Sequence, residues 1–323
     1  MSNARLAPDF LFEASWEVCN KVGGIHTVIS TKAQTVTRKF GDRYILIGPD
    51  LSHEGTNPEF EEDQTLLKAW RQAVYSEGLR IRIGRWKIKG EPLAVLVDFT
   101  SLIPRKDEIL TKLWESYHVD SLSGQWDYIE PVLFGYAAGT VIASYVKTFC
   151  SSTEKIVAHF HEWMSAAGGL YLRKYAPYVA TVFTTHATVM GRCIAGNRLP
   201  LYSDLAKFNA DELARQFNVT AKHSIEKTAA ANHDAFLTVS DITANECKFL
   251  LGREPDGITP NGFENDFVWT GEEYYAKRDE ARKALIAVAE ACLGCRFASE
   301  PLIVGTSGRY EFRNKGIDVF IES

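Results

Sequence analysis

IVAHFHEWMSAAGGLYLRKYAPYVATVFTT, residues 156–185, is a short apolar run, a longer stretch of helix-like spacing and a second short apolar run. As strand Ile156–His159, helix Ala166–Tyr175 and strand Thr181–Thr185 it makes a βαβ unit. Strands buried on both faces of a parallel sheet are continuously apolar, and a crossover of about a dozen residues or more joins them. Outward from this unit the alternation persists. Phe10–Ala14, Tyr44–Ile47, Leu93–Val97, Ala235–Val239 and Leu302–Gly305 have strand character, with helix-like stretches between them. The fold class is therefore α/β, with a doubly wound, Rossmann-like sheet. Leu79–Ile88 differs: it alternates apolar and polar residues, the period of a strand with one wet face, and predicts a hairpin with Leu93–Val97 that turns near Gly90.

A chain of 323 residues is longer than one core of ~250–300 residues comfortably serves. The turn signal Pro260-Asn261-Gly262 marks an edge. We expect a Rossmann-like domain over residues 1–265 and the beginning of a second over 266–323. The second part reads as a charged helix, about Glu272–Cys292, then a strand-turn-helix unit from Pro301 whose helix starts near Asn314. A lone strand and a short helix cannot bury a core, so more sequence is expected to follow.

Hydrophobic residues at 46% and charged residues at 24% give the balance of an ordinary globular protein. The formal net charge of -5 offers no electrostatic reason to bind nucleic acid. No stretch approaches the ~20 apolar residues of a membrane span, and no basic and apolar leader opens the chain, so a cytoplasmic protein without a membrane partner is expected. Of the six cysteines only Cys292 and Cys295 stand in C-x-x-C spacing. Without a second pair of ligands they read as ordinary thiols. Met1-Ser2-Asn3-Ala4 is patternless and is left out of the fold reading.

Four segments carry chemistry, each at a strand end that leads into a helix. In Phe12–Ile25 a lysine, Lys21, precedes the paired glycines Gly23 and Gly24. Glycines admit an anion close to the backbone, a helix N-terminus offers unpaired N–H groups, and the lysine adds charge, which suits a diphosphate; a Gly-Gly turn also serves purely steric ends. Ala158–Trp163 brings His159, His161 and Glu162. Polar residues at strand C-termini line the ligand crevice of an open α/β sheet. The same set is a partial metal donor set, although two imidazoles at i and i+2 share a face only if the strand runs through both, and no further ligand is evident. Thr184–Arg192 brings His186 and Arg192. Val304–Asp318 delivers Arg309 and Lys315 around a turn, two cations able to neutralise a pyrophosphate leaving group without a metal ion.

In order and wording these segments resemble the signature segments of the eukaryotic-type, UDP-glucose-dependent glycogen synthases, retaining glycosyltransferases of the two-domain GT-B fold. The resemblance runs through Trp16–Ile25, Tyr44–Gly48 with Pro49, the His159-Phe160-His161-Glu162-Trp163 segment, Thr184–Thr188, Thr259–Gly262 and Gly308–Glu311. It implies that Lys21, Gly23 and Gly24 meet the donor's diphosphate and glucose. Glu162 matches an acidic residue near the transferred glucose and acceptor, His186 a histidine lining the reacting sugar, Arg192 an arginine of the same cleft and Asn261 a turn asparagine near that sugar. Arg309 and Lys315 match the basic pair that holds the UDP phosphates. No cofactor or metal is implied; the partners are UDP-glucose and an α-1,4-glucan, and the whole protein is expected to assemble as a homo-oligomer through segments beyond these residues. The family's downstream Glu-x7-Glu segment, whose first glutamate is essential, is absent, so these residues alone are expected to transfer no glucose. The competing readings are another retaining GT-B transferase, such as an ADP-glucose starch synthase, and a non-catalytic carbohydrate-binding scaffold.

Overall fold

The runs read as strands upstream of residue 260 lie side by side in one sheet. The computed structural model describes residues 7–52, 55–262, 264–265, 268–308, 310–313 and 315–323. The chain divides into two units, Met1–Asn261 and Gly262–Ser323.

The first unit begins with β1 (Phe10–Ala14), α1 (Gly24–Phe40) and β2 (Tyr44–Pro49), then β3 (Phe60–Glu62), α2 (Lys68–Ser76), β4 (Arg80–Trp86) and β5 (Leu93–Asp98). It continues through α3 (Lys106–Tyr117), α4 (Trp126–Phe149), β6 (Ile156–His161), α5 (Trp163–Tyr175), β7 (Ala180–Thr185) and α6 (Val189–Gly196). It closes with α7 (Ala210–Gln216), α8 (Thr220–Asn232), β8 (Ala235–Thr238), α9 (Asp241–Glu246) and β9 (Gly257–Ile258). The sheet order is β3-β4-β5-β2-β1-β6-β7-β8-β9. From β5 to β9 all pairs are parallel, and β4 joins antiparallel to β5 as the alternating pattern predicts, with Ile83 opposite Val95. The short β3 caps that edge, where Glu61 and Glu62 discourage further pairing.

Phe12, Ala14, Ile47, Val95, Phe160 and Phe183 of the central strands are buried in one core with α4 and α5. Helix α4 has 24 residues and a mean hydropathy of 1.3, enough by length and composition to cross a membrane, but 72% of that stretch is buried inside the protein. Its apolarity is that of a core helix. It meets α5 at van der Waals range because Gly139 lies against the Gly168 carbonyl and Gly168 against the Gly135 carbonyl; a Cβ at either would come within 2.5 Å of backbone oxygen.

The second unit holds α10 (Gly271–Leu293) and α11 (Ile317–Glu322). Neither helix has a buried residue. The strand expected at Leu302–Gly305 does not form: residues 301–307 are irregular, and Leu302 is 88% exposed. An apolar run becomes a strand only beside a partner, and among its described residues this unit has no strand to offer. The last helix starts at Ile317 instead of near Asn314, which itself lies outside the described residues.

Candidate functional site

The chain leaves β1 for β2 on one side, while β6 continues to β7, β8 and β9 on the other. Ligands of open α/β sheets bind at the carboxyl ends of strands where the order reverses in this way. Here those ends present Glu13, His159, His161 and Glu162, and β7 next door leads into His186. Strand β6 runs through His161, two residues beyond the expected end, so both imidazoles share a face with ring centroids 4.1 Å apart. Glu13 is in register with His159 on β1.

Glu13 is 1% exposed. Its carboxylate accepts from the Lys32 ammonium, from the Tyr44 hydroxyl at 2.5 Å and from His161 Nε2 at 2.5 Å, with His159 Nδ1 at 3.8 Å. Burial alone would raise this carboxyl, but Lys32 first, then the two imidazoles, hold it well below the ordinary carboxylate range. Burial in turn pushes His159 and His161 down toward the neutral form, against the pull of Glu13. His159 Nε2 lies 2.7 Å from Thr184 Oγ1. The ligand atoms of Glu13, His159 and His161 all lie within 4.8 Å of one another, so folding supplies the third metal-binding group that the sequence did not reveal. The cation already beside that carboxylate is Lys32.

His186 Nε2 sits 3.0 Å from His161 Nδ1. Burial, then the neighbouring His161 and the Lys32 charge, hold His186 down to about 3. Its own N–H and that of Ala187 donate to Glu162 Oε1 at 2.8 and 3.3 Å. Glu162, 5% exposed, has φ 62 and ψ 165, a region otherwise left to glycine that costs a larger residue roughly 1–3 kcal/mol. Burial raises its carboxyl, against the opposing charge of Arg192 and the two N–H donors. Glu162 Oε2 and His186 Nδ1 have no hydrogen-bond partner among the described residues, and neither is a sealed, orphaned atom. Arg192 is exposed, its guanidinium unpaired among the described residues, and its charge acts on Glu162, His186 and Glu226.

The remaining residues singled out in the sequence are more scattered. Lys21 is exposed on the loop after β1, at the same sheet edge, with no ion pair among the described residues. The N–H of Gly23 is engaged by the protein: with that of His26 it donates to Glu17 Oε2, at 2.8 and 2.9 Å. The start of α1 thus already holds a carboxylate. Gly24 is exposed, and a Cβ there would meet nothing. Asn261 is exposed beyond β9 and touches none of these groups through a hydrogen bond. Lys315 is an exposed residue of the second unit, its N–H on the Glu311 carbonyl. Arg309 lies outside the described residues.

Sequence reasoning missed Glu13, Lys32, Tyr44 and Glu17, and with them two glutamates beneath the β7–α6 turn. Glu226 on α8 accepts from Thr185 Oγ1 at 2.8 Å and the Val189 N–H at 2.9 Å, and Glu246 on α9 accepts from Thr188 Oγ1 at 2.7 Å. Burial, then the charge of Glu162, pushes Glu226 up to about 8. A glutamate inside an apolar strand, as in Phe10–Ala14, is the one signal that could have announced Glu13.

The glycogen synthase family profile matches residues 13–323. Glycogen [starch] synthase of Neurospora crassa is 36% identical over 320 residues, 97% of this chain and 45% of that protein. The human liver glycogen [starch] synthase is 34% identical over 326 residues, again 97% of this chain and 45% of the relative. The chain therefore spans about half the length of the curated relatives it matches. Among solved structures, the catalytic domain of starch synthase IV from Arabidopsis thaliana bound to ADP and acarbose covers 80% of this chain and 53% of its own, at 15% identity and a TM-score of 0.43.

Proposed function

The chain belongs to the glycogen synthase family, and from that membership we propose that it supplies the sugar-facing half of a retaining glucosyltransferase. The reaction moves glucose from UDP-glucose to the non-reducing end of an α-1,4-glucan, with a cytoplasmic setting. The observation that carries this reading is the pair of polar atoms without a hydrogen-bond partner among the described residues, Glu162 Oε2 and His186 Nδ1, at the switch point within reach of the Arg192 charge. Sugar hydroxyls are donors as well as acceptors, so a polyol satisfies all three groups at once.

Cleavage of the anomeric bond builds positive charge on the sugar and negative charge on the departing phosphate. Glu162, held by two backbone N–H groups, is placed to offset the former and to position the acceptor. Lys21 and Gly24 remain for the diphosphate on this side, with Gly23 given to Glu17. The family resemblance assigns Asn261 to the sugar and Arg309 and Lys315 to the UDP phosphates. The Glu13 cluster works without a resident metal in this reading, because Lys32 already balances the carboxylate; stoichiometric zinc in the purified chain by elemental analysis would count against it.

The test is transfer of labelled glucose to glycogen, by the 323-residue chain and by the native open reading frame that encodes it, from UDP-glucose and from ADP-glucose. We expect transfer by the native protein from UDP-glucose, none by the chain alone, and a loss of about 100-fold in Glu162→Gln, the scale of one lost electrostatic contact to a transition state. Preference for ADP-glucose would move the donor assignment to the starch synthases. Binding of glucan without transfer from either donor would favour a carbohydrate-binding scaffold.

A further inference from the structure

We infer that Glu13, acting through His161, fixes His186 as the Nε2–H tautomer and so keeps its Nδ1 a hydrogen-bond acceptor for a hydroxyl of the bound sugar. Glu13 and His161 are positioning residues in this scheme. The identity of the ligand rests on the function proposed above, whereas the tautomer follows from the hydrogen bonds alone.

An ionised carboxylate only accepts, so His161 Nε2, 2.5 Å from Glu13 Oε1, must donate. Lys32 already supplies the cation that this carboxylate requires, and Tyr44 fills the second oxygen. A second cation at His161, enclosed at 2% side-chain exposure, is therefore not stabilised. A neutral His161 that donates from Nε2 has only a lone pair at Nδ1. The group 3.0 Å from that lone pair is His186 Nε2, which must carry the proton. His186, itself held neutral, is left with an unprotonated Nδ1. Had His161 been an imidazolium, the central bond would run the other way and His186 would present an N–H.

The direction of one buried bond thus sets the polarity of a group at the sheet edge. Of the other nearby groups, His159 is turned to Thr184, Glu162 holds the His186 backbone, and Arg192 is a donor. With Glu162 Oε2, whose carboxylate is bonded to the His186 backbone, the site then offers two acceptors from adjacent strand ends. That arrangement favours a hydroxyl-rich ligand over one that presents only carbonyl or ether oxygens.

The experiment is ring-nitrogen NMR of the 323-residue chain labelled with 15N-histidine, the His186 signals identified by their loss in His186→Asn. From about pH 5 to about 8, where an ordinary histidine titrates, His186 is expected to stay neutral, protonated at Nε2 and bare at Nδ1. An imidazolium in that range, or a ring protonated at Nδ1, overturns the inference. In Glu13→Gln the amide can donate to His161 as well as accept, so the single tautomer of His186 is expected to give way to a mixture. A single unchanged tautomer in that variant removes Glu13 from the scheme. Should Glu13→Gln unfold, His161→Phe serves the same purpose, because it deletes the acceptor of the His186 proton. None of these signals depends on glucosyl transfer, so an inactive native protein with the expected tautomer would fell the function proposed above and leave the relay in place.

Discussion

Glu162 pays for its position in backbone strain. At φ 62 and ψ 165 its Cβ is crowded in a way glycine would avoid, and the two N–H groups on its carboxylate offset that cost. Two substitutions separate these effects. Glu162→Ala keeps the strain and loses the hydrogen bonds, while Glu162→Gly loses the bonds but relieves the strain. We expect the glycine variant to be the more stable of the two by about 1 kcal/mol, contrary to the usual order of Ala and Gly, with both variants losing sugar binding. Urea unfolding of the pair decides it, and an alanine variant as stable as the glycine variant would show that the backbone is relaxed. The sequence made Glu162 and His186 visible because each stands where an apolar run ends. It left Glu13 unread because its partners Lys32, Tyr44 and His161 are 19, 31 and 148 residues away, and no local pattern encodes such a pairing. At the start of α1, where the sequence suggested an external anion, the carboxylate is Glu17, only six and nine residues before the N–H groups of Gly23 and His26 that it accepts from.

At the scale of elements, the β7–α6 turn is held by carboxylates from three directions: Glu162 below His186, Glu226 below Val189 and Glu246 at Thr188. Glu226 stands at about 8 in the folded chain, against about 4.3 for an unfolded glutamate. Between these values the folded protein keeps a proton that the unfolded chain releases. Its contribution therefore falls as pH rises, by up to about 1.4 kcal/mol per pH unit. His186, held down to about 3, acts in the opposite sense: its contribution is present above the unfolded histidine value of about 6.5 and is lost as pH falls toward the folded one. Glu226→Gln mimics the uncharged acid and keeps an acceptor for the Val189 N–H. Stability curves of the two proteins should converge near pH 5 and separate toward pH 8, with the variant higher by on the order of a few kcal/mol; parallel curves would mean that Glu226 is ionised throughout. Most elements around this turn were legible, because β1, β2, β5, β6 and β7 are largely buried and their sequences are mostly apolar. The edge strands β3 and β9, three and two residues long, carry too little pattern to be read.

At the scale of the whole molecule, the two units differ in what they bury. Every described strand belongs to Met1–Asn261, and so do the clusters of buried apolar residues. In Gly262–Ser323 the helices bury nothing, and Tyr275, Leu285, Val288 and Leu293 of α10 are each more than half exposed. The apolar run Leu302–Gly305 misled the sequence reading for the same reason: hydrophobic residues specify a strand only when a neighbour takes up their surface and their backbone bonds. Most helical stability in proteins comes from tertiary packing of an apolar face, and α10 buries none of its residues. Produced separately, Met1–Asn261 should therefore unfold in one cooperative thermal transition, with protected amides in β1, β2, β6 and β7. Gly262–Ser323 should show at most partial helicity, no cooperative transition and amide exchange close to that of an unfolded peptide. Circular dichroism melts and hydrogen exchange on the two pieces test this together. A sharp melt for Gly262–Ser323 would show that its exposed apolar residues find a core of their own, and a broad one for Met1–Asn261 would show that its sheet needs more than its own helices to stand.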